Sequence, residues 1–265
     1  MRDALLSAAK GAAIGGTMLI PGVSGGTTAM MLGIYDRLIH AVSGFRRHKR
    51  ESFFFLLWFC LGACAGIFLL ARPLLSLMEH FPRPAGFFFL GAVAGSVPMV
   101  YEKSRIGSFQ WRVPVYVLMG AALVFLLDSL PAPAHQAAAD GMWRPLLLLL
   151  AGAVEAVALV LPGISVSYLL LLLGLYDSTM AAVACLDLTF LLPMAVGLAA
   201  GILSTTKALE LLMARYPRAT YLVILGFMLA SLPTLFPGLP KAGEWLPCLT
   251  CLLAGFGIIY KVSRL

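Results

Sequence analysis

The sequence predicts an all-α polytopic membrane protein, an inverted repeat of two five-segment halves, each a re-entrant helical hairpin plus three transmembrane helices. Three observations predict it. The 265 residues are 61% hydrophobic and 12% charged, with a mean hydropathy of +0.95, more apolar surface than a soluble domain covers. Apolar runs recur at about 4–20, 27–43, 53–71, 85–101, 113–130, 145–161, 166–184, 189–206, 219–236 and 246–261, five on each side of a loop at 131–144. The two sets also align with one another, which divides the chain into a first repeat (1–130), a connecting loop (131–144) and a second repeat (145–265) within one membrane domain.

The first run, Ala4 to Ile20, would rise only ~25 Å as a helix against a hydrocarbon core of ~30 Å. It ends on Pro21-Gly22-Val23-Ser24-Gly25-Gly26-Thr27-Thr28, a polar, backbone-rich break where a membrane-crossing helix would continue. A glycine-rich turn at membrane depth is tolerated where it lines a protein cavity. The runs 4–20 and 27–43 are therefore expected to form a re-entrant hairpin. Arg2 before an apolar stretch suggests a cleaved leader, but Asp3 and Lys10 interrupt it, and its counterpart at 145–161 is internal. The runs 53–71, 85–101 and 113–130 complete the half as spanning helices. Their Gly62-x-x-x-Gly66 and Gly91-x-x-x-Gly95 spacings, like Gly197-x-x-x-Gly201 later, allow close helix approach. Phe53-Phe54-Phe55, Trp58, Phe59 and Phe87-Phe88-Phe89 suit aromatic belts and lipid contact.

The second half repeats this order. With Pro21 set on Pro162, an offset of 141, seven of sixteen positions are identical, and Leu32-Gly33-Ile34-Tyr35-Asp36 falls on Leu173-Gly174-Leu175-Tyr176-Asp177. Beyond a six-residue deletion the offset is 135, and Gly62, Gly66, Pro82, Arg83, Gly91, Ser96 and Pro98 fall on Gly197, Gly201, Pro217, Arg218, Gly226, Ser231 and Pro233. Five segments per half is an odd number, so the second half is expected to enter from the opposite side. Loop charges agree. Arg46, Arg47, Lys49, Arg50, Lys103, Arg105, Arg112, Lys207, Arg215, Arg218, Lys261 and Arg264 fall on one face, against Arg72, Arg83, Arg144 and Lys241 on the other, which makes both termini cytoplasmic.

The breaks carry the chemistry. Helices that begin inside the membrane after Gly26 and Ser167 present unpaired N–H groups and positive dipole ends, an arrangement suited to an anion. Gly22, Ser24, Gly25, Gly26, Thr27 and Thr28 in the first break, and Gly163, Ser165 and Ser167 in the second, are the candidate phosphate ligands, with Arg37 nearby in sequence. The alternative is a proline-glycine kink whose hydroxyls bond back to the backbone. Ionisable groups within apolar runs are costly and mark function. Glu155, among apolar and small neighbours, is the candidate proton carrier, followed by the equivalent pair Asp36 and Asp177; an interhelical hydrogen bond or interfacial caps would also account for them. Lys10 fits either a functional charge or a side chain reaching the surface. Arg72 with Lys207, and Arg83 with Arg218, are repeat-equivalent cations that would attract a headgroup at each mouth.

Together, Pro21-Gly22-Val23-Ser24-Gly25-Gly26-Thr27 with Leu32-Gly33-Ile34-Tyr35-Asp36, and Leu161-Pro162-Gly163-Ile164-Ser165 with Gly174-Leu175-Tyr176-Asp177, resemble the bacterial polyprenyl-phosphate transporter family over essentially the whole chain. The resemblance implies a cytoplasmic-membrane protein that returns undecaprenyl phosphate, the carrier lipid of cell-wall and surface polysaccharide synthesis, from the outer to the inner leaflet. The second break has Val166-Ser167 where the first has Gly25-Gly26, so the first tip is weighted more heavily as the phosphate site. The expected partners are this lipid and the bilayer, with a homo-oligomer admitted. Nucleic acid is excluded, because the net charge of +7 is spread over short loop clusters.

An enzyme is not expected. His40, His48, His80 and His135 lie in or near loops without a matching nucleophile set, as a lipid phosphatase would require. A small-anion channel is the competing class, but few charges are placed to line a pore. No cofactor or metal is expected. Cys60, Cys64, Cys185, Cys248 and Cys251 read as membrane thiols without His or acidic neighbours at ligand spacing.

Overall fold

The computed structural model describes residues 2–18, 23–45, 48–104, 111–130, 143–241 and 243–264. The described residues are helical throughout their ordered elements and contain no strand. The first half holds α1 (Arg2–Thr17), α2 (Gly25–Met31), α3 (Tyr35–Ser43), α4 (Lys49–His80), α5 (Pro82–Lys103) and α6 (Arg112–Asp128). The second holds α7 (Arg144–Val160), α8 (Val166–Leu172), α9 (Tyr176–Cys185), α10 (Leu188–Arg215), α11 (Pro217–Ala230), α12 (Leu232–Leu235) and α13 (Trp245–Val262).

One expectation is corrected. Among the described residues five stretches of 18 residues or more are apolar enough to cross a membrane: Lys49–Leu70, Pro82–Lys103, Leu188–Arg215, Pro217–Leu235 and Trp245–Val262. The sixth expected span, at 113–130, is the shorter apolar helix α6 of 17 residues, at the lower limit for a crossing. The runs 27–43 and 166–184 are each two helices rather than one. After α2, Gly33 adopts φ +65, its N–H donating to the Met30 carbonyl at 3.0 Å and that of Ile34 to the Ala29 carbonyl at 3.0 Å. After α8, Gly174 at φ +65 does the same toward Leu171, and Leu175 toward Leu170. This is the left-handed glycine stop of a Schellman ending, satisfying carbonyls the helix leaves unpaired. Apolar residues run straight through both breaks, so hydropathy alone does not reveal them.

The two offsets reappear in the packing. Positions for a Cβ on Gly62 and Gly66 of α4 lie 2.0 Å from the Ala8 and Ala12 carbonyl oxygens of α1, while those on Gly197 and Gly201 of α10 fall against Leu149 and Ala153 of α7. Glycine lets the two backbones touch there, where close packing drives association in lipid. The last helices are exchanged between halves. Gly91 of α5 faces the Leu252 carbonyl of α13, and Gly226 of α11 faces the Val117 carbonyl of α6. Reciprocally, Gly255 of α13 faces Phe88 and Gly120 of α6 faces Val223. Each of these exchanged contacts maps onto its counterpart at a separation of 135. The central core comes from α2, α5 and α11, where Met30, Val93, Val100, Leu222, Ile224 and Met228 are fully buried. Helix α3 packs on α10 of the other half, whereas its counterpart α9 touches α8 and α10 of its own.

Candidate functional site

Two polar helix starts meet beside this apolar core. Ser24 is the N-cap of α2 in extended backbone, φ −83 and ψ 139, and its hydroxyl makes no cap bond. Three residues on, Thr27 is buried at 2% exposure and its Oγ1 accepts the Gly163 N–H from the second break at 2.9 Å. Among the described residues the Thr27 hydroxyl donates no hydrogen bond of its own. Gly26 lies so close that a Cβ there would stand 3.1 Å from the Pro162 nitrogen. Gly163 itself holds φ +82 with its Cβ direction filled by the Phe227 carbonyl of α11 at 2.2 Å. Tyr35 ties the arrangement from below, its hydroxyl donating to the Val160 carbonyl at the end of α7 at 2.9 Å.

The other predicted hydroxyls are partly committed. Thr28 Oγ1 lies 3.1 Å from Thr17 Oγ1 and 3.3 Å from the Ser24 carbonyl, to which it donates. Ser165 caps α8, its Oγ accepting the Tyr168 N–H at 3.4 Å. Gly25 packs against Met18. Gly22 lies outside the described residues, as does the Ser167 side chain. The structure thus brings Gly26 and Thr27 of the first break against Pro162 and Gly163 of the second, with Ser24, Gly25, Thr28 and Ser165 in the flanking turns.

It does not bring the predicted charges to this point. Arg37, on α3, stacks over the Phe55 ring at 4.4 Å, and with Asp3, Ser7 and Lys10 lines a cavity of about 150 Å³. Lys10 Nζ donates to the Leu32 carbonyl at 2.8 Å, a cation at the C-terminal end of α2. Asp36 pairs through Oδ2 with Lys103 Nζ at 2.6 Å, and its buried Oδ1 has no hydrogen-bond partner among the described residues. Asp177, its counterpart, is exposed. Glu155 is buried in α7 at 5% exposure, and no described residue bonds to its carboxylate. Lys207 borders a mainly apolar slot of about 450 Å³ between α3, α4 and α10, with Phe45, Leu56 and Leu203. Arg72 is exposed on α4. Arg83 is ion-paired, its Nη1 2.8 Å from Glu244 Oε2, which also accepts the Lys241 N–H at 3.0 Å. Arg218 borders a separate cavity with Arg112 and Arg215.

Sequence reading missed Thr17, Tyr35, Lys103 and Glu244 as partners. Tyr35 was detectable: it is one of the identities carried through the duplication, a signal that it does more than anchor at an interface. Among the described residues no three His, Cys, Asp or Glu side chains gather where a metal would bind. The tips present helix-start N–H groups and the Ser24 and Thr27 hydroxyls, and no charged side chain bonds to them among the described residues.

The fold is that of a multi-pass helical membrane protein whose two sequence-related breaks meet at Thr27 and Gly163. Residues 14–245 match the VCA0040-like family, described as undecaprenyl phosphate translocase-like, and the chain belongs to it. It is 31% identical over 249 residues to a polyprenyl-phosphate transporter of Vibrio cholerae, covering 86% of this chain and 76% of that one. It is 30% identical over 268 residues to a polyprenyl-phosphate transporter of Staphylococcus aureus, covering 97% and 95%. No solved structure matches the chain.

Proposed function

We propose that this protein carries a polyprenyl phosphate, undecaprenyl phosphate in the cell, from the outer to the inner leaflet of the cytoplasmic membrane for reuse in cell-wall and surface polysaccharide synthesis. The observation that carries the reading is the bond between Gly163 N–H and Thr27 Oγ1, which joins two uncharged breaks rich in hydroxyl and backbone N–H groups. Family membership and the names of the relatives support the lipid class. The phosphate sits at Ser24, Gly25, Gly26 and Thr27 while the isoprenoid tail stays in lipid. The short helices α1 with α2 and α7 with α8 are re-entrant hairpins from opposite faces, and the inverted repeat supplies matching inward and outward states. The arginine-rich face and both termini are cytoplasmic. Glu155 offsets headgroup charge by taking a proton from the external side and releasing it inside, since a bare anion crossing ~30 Å of hydrocarbon is strongly disfavoured.

The test is purified protein in liposomes carrying labelled polyprenyl phosphate in one leaflet and a trapped small-ion dye. Lipid should change leaflet while the dye stays enclosed; release of the dye without lipid movement would make the protein a channel. Ser24→Ala and Thr27→Val should each weaken phosphate-lipid binding by on the order of tenfold, given ~1.5–3 kcal/mol per hydrogen bond to a charged group. Glu155→Gln should keep binding but lose the dependence of transport on a pH gradient. A full wild-type pH response in that variant would move the proton to another group, Asp36 or Asp177 first.

A further inference from the structure

The exchange of α6 and α13 places an equivalent corner at each end of the molecule, and the two corners differ in charge. At the first, Pro82-Arg83 begins α5 beside the start of α13, and Glu244 neutralises Arg83 at 2.8 Å. At the second, Pro217-Arg218 begins α11 beside the start of α6. The position 135 before Glu244 is Phe109, an uncharged residue outside the described ones. In place of an ion pair this corner holds a cavity of about 350 Å³ bordered by Arg112, Arg215, Arg218 and Tyr116, with buried Val113 and Leu222 behind them. None of the three arginines has an ion pair among the described residues, although Lys103 and Arg264 of the same charged face pair with Asp36 and Glu102. Arg112 and Arg218 also sit in the first turns of their helices, where the dipole disfavours a cation. A loop that only sets orientation needs positive charge on one side; it does not need three guanidinium groups around one cavity with an apolar back wall.

We propose that this cavity is a phosphate site, separate from the helix tips. A tetrahedral oxyanion supplies the negative charge that Glu244 supplies at the opposite corner, and planar guanidinium forks match it bidentately. Arg112 and Arg215 are steadied beside the Trp111 and Tyr216 rings, 5.7 and 5.6 Å away, which leaves their N–H groups for a ligand. Phe227, which abuts the tip at Gly163, lies ten residues along α11 from Pro217, a rise of roughly 15 Å. The cavity is therefore set apart from the tips by about that length of α11. Val113, Leu222 and Tyr116 would accommodate the first carbons attached to the phosphate. The ligand class rests on charge and shape; only its lipid form rests on the transport reading.

The experiment measures binding to the full chain in maltoside micelles with three probes: inorganic phosphate, a short-chain polyprenyl phosphate and the matching polyprenol. The protein is wild type, Arg112→Gln/Arg215→Gln/Arg218→Gln, the same three positions changed to Lys, or Arg264→Gln as a same-face control. The Gln triple variant should lose at least tenfold in affinity for one or both phosphate probes, the Lys triple variant should fall between, and Arg264→Gln should match wild type. Loss for both probes assigns a free-phosphate site that also takes the headgroup; loss for the lipid alone assigns a headgroup site. Unchanged binding of both probes in a Gln triple variant with wild-type melting behaviour overturns the proposal. If Gln and Lys triples lose binding equally along with their folded signal, the arginines are structural and the proposal also falls. Leaflet transport in Ser24→Ala and Thr27→Val liposomes reads the tips independently, so failure of the carrier reading leaves a measured phosphate site standing, and the reverse.

Discussion

Gly33 and Gly163 hold similar left-handed backbone, φ +65 and +82, for different reasons. Around Gly33 nothing lies within 4 Å of a would-be Cβ, whereas at Gly163 that position is 2.2 Å from the Phe227 carbonyl oxygen. Gly33→Ala should therefore cost only the conformational penalty, ~1–2 kcal/mol. Gly163→Ala should add ~1–3 kcal/mol of overpacking and disturb the Thr27 bond. Thermal unfolding in detergent checks the order; equal losses would mean the tip is loosely packed. The Arg83–Glu244 pair gives a pH signature. The Lys241 N–H and then the Arg83 guanidinium hold the Glu244 carboxyl below its ordinary value of 4.5. A depressed folded-state value means the contribution is complete above the ordinary value and lost as pH falls through the folded one. Melting temperature should carry no Glu244-dependent change from neutral pH down to about 5 and a Glu244-dependent fall below 4.5, and Glu244→Gln should remove that component.

At the scale of the elements, glycine decides which helix lies against which. Gly255 and Gly257 are two residues apart on α13, yet a Cβ on Gly255 would meet the Phe88 carbonyl at 2.1 Å and one on Gly257 meets nothing within 4 Å. Gly255→Ala should separate α13 from α5 and lower stability by ~1–3 kcal/mol. Gly257→Ala should be neutral or stabilising by ~0.5–1 kcal/mol through helix propensity. A comparable loss at both positions would contradict the packing described. These spacings were legible in the sequence as small-residue patterns, as were the apolar runs and the duplicated breaks, because each is a local composition signal. The partners were not. Nothing near Gly91 says that its carbonyl neighbour is Leu252 rather than a residue of its own half. The stop at Gly33 was hidden for another reason: the run from Ala29 to Ile34 is apolar on both sides of it, so neither charge nor period changes where the backbone does. At the site, Ser24, Thr27 and Gly163 each stood out within its own break, but the bond from the Gly163 N–H to Thr27 joins positions 136 residues apart, which no local pattern records.

For the whole molecule, the charge distribution predicts an orientation that labelling can test. Single cysteines placed within 46–50 should react with a membrane-impermeant reagent only from the cytoplasmic side and those within 131–144 only from outside; reaction of both from one side would end the inverted arrangement. The exchanged helices set a timetable as well. When the ribosome has finished α5, the surface around Gly91 and Gly95 has no partner, because α13 begins only at Trp245. At roughly 5–20 residues per second, the first half waits on the order of ten seconds in the bilayer with that groove uncovered, and α6 waits likewise for α11. Translation that terminated before Trp245 would leave a protein with an open seam rather than a shortened but finished one.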